Sequence, residues 1–121
     1  MIKNLLLVGL GGAAGAMLRY GVTLLCNAAG WTANIGTFAV NIIGSFAMGL
    51  LASSCSQSPW LLAATIGICG GFTTFSTFSM QSVTLLQQGK YGMAALYVCG
   101  TVFLCIAFAA LGFYTGQKLK A

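Results

Sequence analysis

No aspartate, glutamate or histidine occurs in these 121 residues. General acid–base catalysis, carboxylate metal sites and proton relays depend largely on those three side chains. Their absence argues against an enzyme and against a proton-coupled pump. Charge of any kind is scarce: charged residues make up 4% of the chain, against roughly 25% in a soluble domain. No folded surface of this composition stays in water, so the chain reads as an integral membrane protein with no water-soluble domain. The five cysteines form no Cys-x-x-Cys pair, and without histidine there is no zinc or redox cluster. Cys26 and Cys55 sit near the ends of two apolar runs. If consecutive helices span, these two lie about 30 Å apart across the membrane, whereas a disulfide needs Cα atoms within about 7 Å. The cysteines read as small apolar packing residues.

What is present is apolar length. Hydrophobic residues make up 59% of the chain, and four runs stand out: 5–26, 35–54, 60–86 and 93–115. Each reaches the ~20 residues that cross a hydrocarbon core about 30 Å thick. Short joints carrying breakers separate them: Asn27-Ala28-Ala29-Gly30, Ser56-Gln57-Ser58-Pro59 and Gln87-Gln88-Gly89-Lys90. Trp31, Trp60 and Tyr91 stand at span ends, where amphipathic rings favour the headgroup level. The first run is too long for a cleaved signal peptide, and Arg19-Tyr20 falls where a small-residue cleavage site belongs. Residues 1–121 therefore read as one transmembrane domain.

The net charge of +5 comes from Lys3, Arg19, Lys90, Lys118 and Lys120. These are scattered between apolar spans and read as membrane-end anchors, not as a nucleic-acid surface. Four spans put both termini on one side with Lys3, Lys118 and Lys120, and leave Lys90 and Arg19 for the other. Three charges against two is almost no bias under the positive-inside rule, which permits insertion in both orientations. Glycine is abundant, at 17 residues, and the pairs Gly11/Gly15, Gly67/Gly71 and Gly112/Gly116 each lie one helical turn apart. Such pairs allow close helix approach in lipid.

Polar groups inside spans are costly without partners, so their placement is informative. In the second span Asn34, Thr37, Asn41, Gly44 or Ser45, and Met48 recur at helical spacing. Tyr97, Thr101, Cys105, Phe108 and Gly112 do so more weakly in the fourth. Interhelical hydrogen bonding and a pore lining both account for these stripes. The centre of the third span, Gly70-Gly71-Phe72-Thr73-Thr74-Phe75-Ser76-Thr77-Phe78-Ser79, differs in kind. Hydroxyls compete for backbone hydrogen bonds, and each glycine weakens a helix by roughly 1 kcal/mol. The run predicts a local break that exposes carbonyls, and broken backbone at this depth persists only inside protein or beside a watery cavity. Phe75 and Phe78 share a helical face, and the positive edges of their rings suit a small anion.

With these motifs the sequence resembles the small fluoride channels of the Fluc (CrcB) type. The likeness runs through Gly11–Gly15 with Arg19-Tyr20, Gly36-Thr37, Asn41-Ile42-Ile43-Gly44, the 70–79 run, and Leu85-Leu86 with Gly89. The resemblance implies passive, fluoride-selective conduction out of the cytoplasm across a bacterial inner membrane. It implies an all-α membrane protein with four transmembrane helices per chain, the third broken mid-membrane, working as an antiparallel, dual-topology homodimer. Carried over by position, the carbonyls of Gly70 and Thr73 hold a structural sodium ion (Na+) at the dimer centre. Asn41, Phe75, Ser76, Thr77 and Phe78 line the fluoride path, Tyr97 and Thr101 occupy its polar track, and Arg19 sits toward a vestibule. Where the family commonly has glutamate, this chain has Gln81, a position tied to the vestibule or to gating. The rival reading, a small multidrug exporter, needs a membrane-embedded carboxylate that this chain lacks.

Overall fold

The computed structural model describes residues 1–53 and 58–120. Among them all regular structure is helical: α1 (Ile2–Ala28), α2 (Ala33–Ala52), α3 over 59–72, α4 (Phe75–Gln87) and α5 (Tyr91–Lys120). Four stretches are long and apolar enough to cross a bilayer: Ile2–Ala28, Ala33–Ala52, Pro59–Gln87 and Tyr91–Leu119. These match the four predicted runs, with the first starting earlier, the second ending at Ala52, short of the predicted 54, and the last running past Thr115. Gln117 and Lys118 end the hydropathy without breaking the helix, because both are good helix formers. Ser54, Cys55, Ser56 and Gln57 lie outside the described residues. They include the last residue of the second predicted span, half of the predicted second joint, and the far partner in the Cys26–Cys55 separation.

The other two joints close as their breakers dictate. Gly30 and Gly89 adopt φ of 78° and 76°, the left-handed region where a side chain is strained. In each case the following amide reaches back to the helix end: Trp31 N to Cys26 O at 2.9 Å and Lys90 N to Leu85 O at 2.9 Å. Pro59 sits in the first turn of α3, and the Ser58 hydroxyl accepts from Leu61 N at 3.2 Å.

Packing follows two glycine seams. α1 lies along α3, and α2 along α5. On the first seam, a Cβ at Gly15 would run into the Ile68 carbonyl, and one at Gly71 into the Gly12 carbonyl; one at Gly67 would lie 2.9 Å from Val8 O. On the second, Gly112 faces the Phe46 carbonyl, Gly49 that of Ala109, and Gly116 the Ser53 side chain. All three predicted glycine pairs thus lie at helix–helix contacts, where the missing side chain lets backbones touch. Large apolar side chains such as Leu10 and Phe103 point outward, as a lipid-facing surface requires.

α3 is not a plain helix. It runs as Pro59–Leu62, widens into a π-helical stretch over Ala63–Cys69, and closes with Gly70–Phe72. Two extended residues follow, Thr73 (φ −83°, ψ 157°) and Thr74 (φ −149°, ψ 121°), before α4 begins. The interruption therefore falls just after the glycine pair, not on it. Gly70 and Gly71 stay helical because Gly71 is held against α1, while the hydroxyl-bearing pair beyond finds other hydrogen-bond partners. The π stretch had no counterpart in the sequence reading.

Candidate functional site

The interruption between α3 and α4 is built by four side chains. A helix break strands carbonyls on one side and amides on the other, and in a dry interior each must be satisfied. Asn41, buried on α2, meets Thr74 with both ends of its amide: Nδ2 donates to Thr74 O at 3.1 Å, and Oδ1 accepts from Thr74 N at 2.8 Å. The amide thus copies the pairing of a neighbouring strand. Thr73 turns its hydroxyl back to Cys69 O at 3.0 Å. Thr74 caps α4, accepting from Thr77 N at 3.4 Å and donating to the Thr77 hydroxyl at 3.2 Å. Arg19, half-buried on α1, donates from Nε to Gly71 O at 3.0 Å, which places a cation at the carbonyl end of α3.

Two cavities flank Thr74. One is an open groove of about 320 Å³ whose walls include Asn41, Ser45, Met48, Cys69, Thr73, Phe75, Phe78, Thr101 and Cys105. The other is a small polar pocket of about 30 Å³ among Arg19, Thr23, Thr37, Thr74 and Thr77. Thr101 lines the groove at 4% exposure, and its hydroxyl has no hydrogen-bond partner among the described residues. A buried hydroxyl left so is destabilising by about 1–3 kcal/mol.

An aromatic ladder runs beside the groove. Phe75 and Phe78 stand 5.7 Å apart between ring centroids, and Phe78 and Tyr97 5.2 Å, each pair tilted by 49°. The two phenylalanines are not equivalent: Phe78 is 6% exposed and Phe75 77%. The ladder ends at Gln81, whose Oε1 accepts the Tyr97 hydroxyl at 2.6 Å.

Comparison with known proteins places this architecture. Residues 6–113 match the family model described as CrcB-like protein, Camphor Resistance (CrcB). The chain belongs to the CrcB family. Its relatives in the family include a protein named fluoride-specific ion channel FluC 2 in Nitrobacter hamburgensis, 40% identical over 96% of this chain and 95% of its own length. Fluoride-specific ion channel FluC of Phocaeicola vulgatus is 43% identical over 96% of this chain and all of its own. FluC of Campylobacter jejuni is 44% identical over 93% and 97%. Membership together with the four spans makes this CrcB chain a multi-pass bacterial membrane protein.

Within this CrcB fold the structure brings together Asn41, Thr73, Phe75, Phe78 and Thr101 on one groove, and Thr77 with Arg19 on the smaller pocket. Tyr97 and Gln81 join through the aromatic ladder. Gly70 and Ser76 line neither cavity and are exposed within the single chain. The sequence reading passed over Thr74, the residue on which most of these bonds converge. The spacing Thr74-x-x-Thr77 at the start of an apolar run carried the signal, because a hydroxyl three residues ahead of a helical amide is a helix cap.

Proposed function

We propose that this protein is a passive, fluoride-selective channel, not an enzyme, that lets F⁻ leave the cytoplasm across the bacterial inner membrane. The observation that carries the reading is full-length similarity to proteins named fluoride-specific ion channels, joined to the clamped break beside a groove with an orphaned hydroxyl. Fluoride sheds water to weak donors along this groove: the Thr101 hydroxyl, the remaining Asn41 N–H and the ring edges of Phe75 and Phe78. Thr77 on the adjoining pocket and Ser76, outside both cavities in the single chain, complete the path. Many neutral donors hold a small anion without trapping it, and a narrow dehydrating path admits chloride poorly.

The working unit in this reading is an antiparallel homodimer of the single 1–121 transmembrane domain, with the interruption at Thr73–Thr74 lying mid-membrane. The outward-facing Phe75 and the open side of the groove are then covered by the second copy. The residues present fit a structural sodium ion at the dimer centre. The carbonyls of Cys69, Gly71 and Thr74 already accept side-chain hydrogen bonds, whereas no described side chain donates to Gly70 or Thr73. Those two carbonyls offer hard oxygen ligands for a hard cation, and the bound ion would supply fixed positive charge beside the anion path.

Gln81, a neutral amide, accepts a hydrogen bond from the Tyr97 hydroxyl, so no titrating carboxylate stands at this end of the path. Transport is accordingly electrogenic uniport, indifferent to a pH gradient. Fluoride efflux from proteoliposomes tests this: release requires valinomycin and potassium, exceeds chloride release, and ignores an imposed proton gradient. Efflux that needs no ionophore but follows the proton gradient makes the protein a carrier instead.

A further inference from the structure

The groove carries a second kind of chemistry that the fluoride reading leaves unused. Three sulfur side chains from three separate elements line it: Met48 of α2, Cys69 of α3 and Cys105 of α5. Both thiols are free. Cys69 sits beside the interruption, its carbonyl receiving the amide and the hydroxyl of Thr73. Thr101, whose buried hydroxyl has no partner among the described residues, lines the same groove. No carboxylate or imidazole exists anywhere in the sequence to compete for a metal.

Thiols and thioethers select soft d¹⁰ cations over hard ones. We propose that the groove is a binding site for a soft monovalent cation of the Ag⁺ or Cu⁺ class, held by Cys69 and Cys105 with Met48 as a third donor. On binding, each S–H bond breaks as a sulfur–metal bond forms, and two protons leave to solution; the thioether donates a lone pair and loses nothing. Two thiolates and one monovalent cation leave a net negative charge in the groove. An occupied groove is therefore filled and also repels fluoride, so soft-metal binding shuts the path. The block, though not the binding, rests on the groove being the fluoride route.

The experiment uses the full-length protein in proteoliposomes in chloride-free nitrate buffer, with silver nitrate as the probe. Bound silver is measured by elemental analysis after desalting, and fluoride efflux is measured in parallel. The parent is expected to hold about one more Ag⁺ per chain than the C69S/C105S double variant, as a shared two-thiol site requires. Silver should slow parent efflux roughly tenfold or more, a plugged path being closed to the anion, and a dithiol chelator should restore it. The C99S variant, altered at an exposed thiol outside the groove, should stay as silver-sensitive as the parent. For each variant flux is compared with and without silver, so a changed basal rate does not enter. Equal silver binding by parent and double variant overturns the site. Differential binding without block keeps the metal site and moves the fluoride path out of the groove.

Discussion

At the scale of single residues, the orphaned hydroxyl and the two unlike phenylalanines carry the sharpest expectations. Thr101 is buried at 4% exposure with its oxygen unpartnered among the described residues. Thr101→Val keeps the shape and removes the unpaired polar atom, so the protein should gain up to about 1 kcal/mol of stability. The same change removes an anion donor, and fluoride efflux should fall. A melting temperature that rises while flux drops separates this role from packing. Valine that conducts like the parent removes Thr101 from the path. Phe75→Ile and Phe78→Ile both delete a polarised ring edge and should both reduce flux strongly. They should differ in stability: Phe78 is enclosed, so its replacement leaves a void that destabilises by roughly 1–3 kcal/mol, whereas Phe75, 77% exposed in the chain, should unsettle the fold of one subunit little. Thermal unfolding of the two variants checks the difference.

At the scale of elements, the interruption between α3 and α4 is a construction that one amide holds in place. Asn41 satisfies the Thr74 N–H and C=O at once. Asn41→Leu preserves bulk but strands both backbone groups, each destabilising by about 1–3 kcal/mol when buried without a partner. The expected outcome is a large drop in melting temperature or a closing of the interruption into continuous helix, with flux lost either way. Hydrogen exchange at Thr74 reads the local effect directly: its amide should exchange much faster in the variant. Unchanged protection would mean that the extended backbone at Thr73–Thr74 is fixed by something else. The helices on either side are braced differently. Glycine seams lock α3 to α1, so the α3 side of the break is rigidly placed, while α4 hangs from Thr74 and from its contacts with α2 and α5.

At the scale of the whole molecule, charge decides orientation. With Arg19 counted beside Lys90, three basic residues at the termini stand against two, too small an imbalance to fix insertion. A cysteine-free chain carrying one terminal cysteine, labelled in intact cells with an impermeant maleimide, should react with about half of the molecules, as near-equal insertion in both directions requires. Labelling of all molecules, or of none, overturns the proposed antiparallel dimer and with it the proposed pairing of two interruptions around one sodium ion.

The membrane class, the four spans and the two glycine joints were legible in the sequence because lipid imposes simple rules. A span must be about 20 apolar residues long, and Gly30 and Gly89 stop helices by backbone freedom that no other residue has. The family was legible because the 70–79 run combines residues that no ordinary span needs. Other features belonged to the tertiary structure alone. The interruption falls at Thr73–Thr74, not on the glycines, because Asn41, distant in sequence, supplies the hydrogen bonds that two extended residues require. Arg19 caps the Gly71 carbonyl, a pairing that no local spacing encodes. Cys69 and Cys105 read one at a time as packing residues and Met48 as one member of a stripe on the second span, and the packing of three elements is what sets them on one groove. Local rules such as hydropathy and backbone freedom act along the chain and can be read there. Which polar group meets which across the bundle depends on where rigid helices cross, and only the folded arrangement decides that.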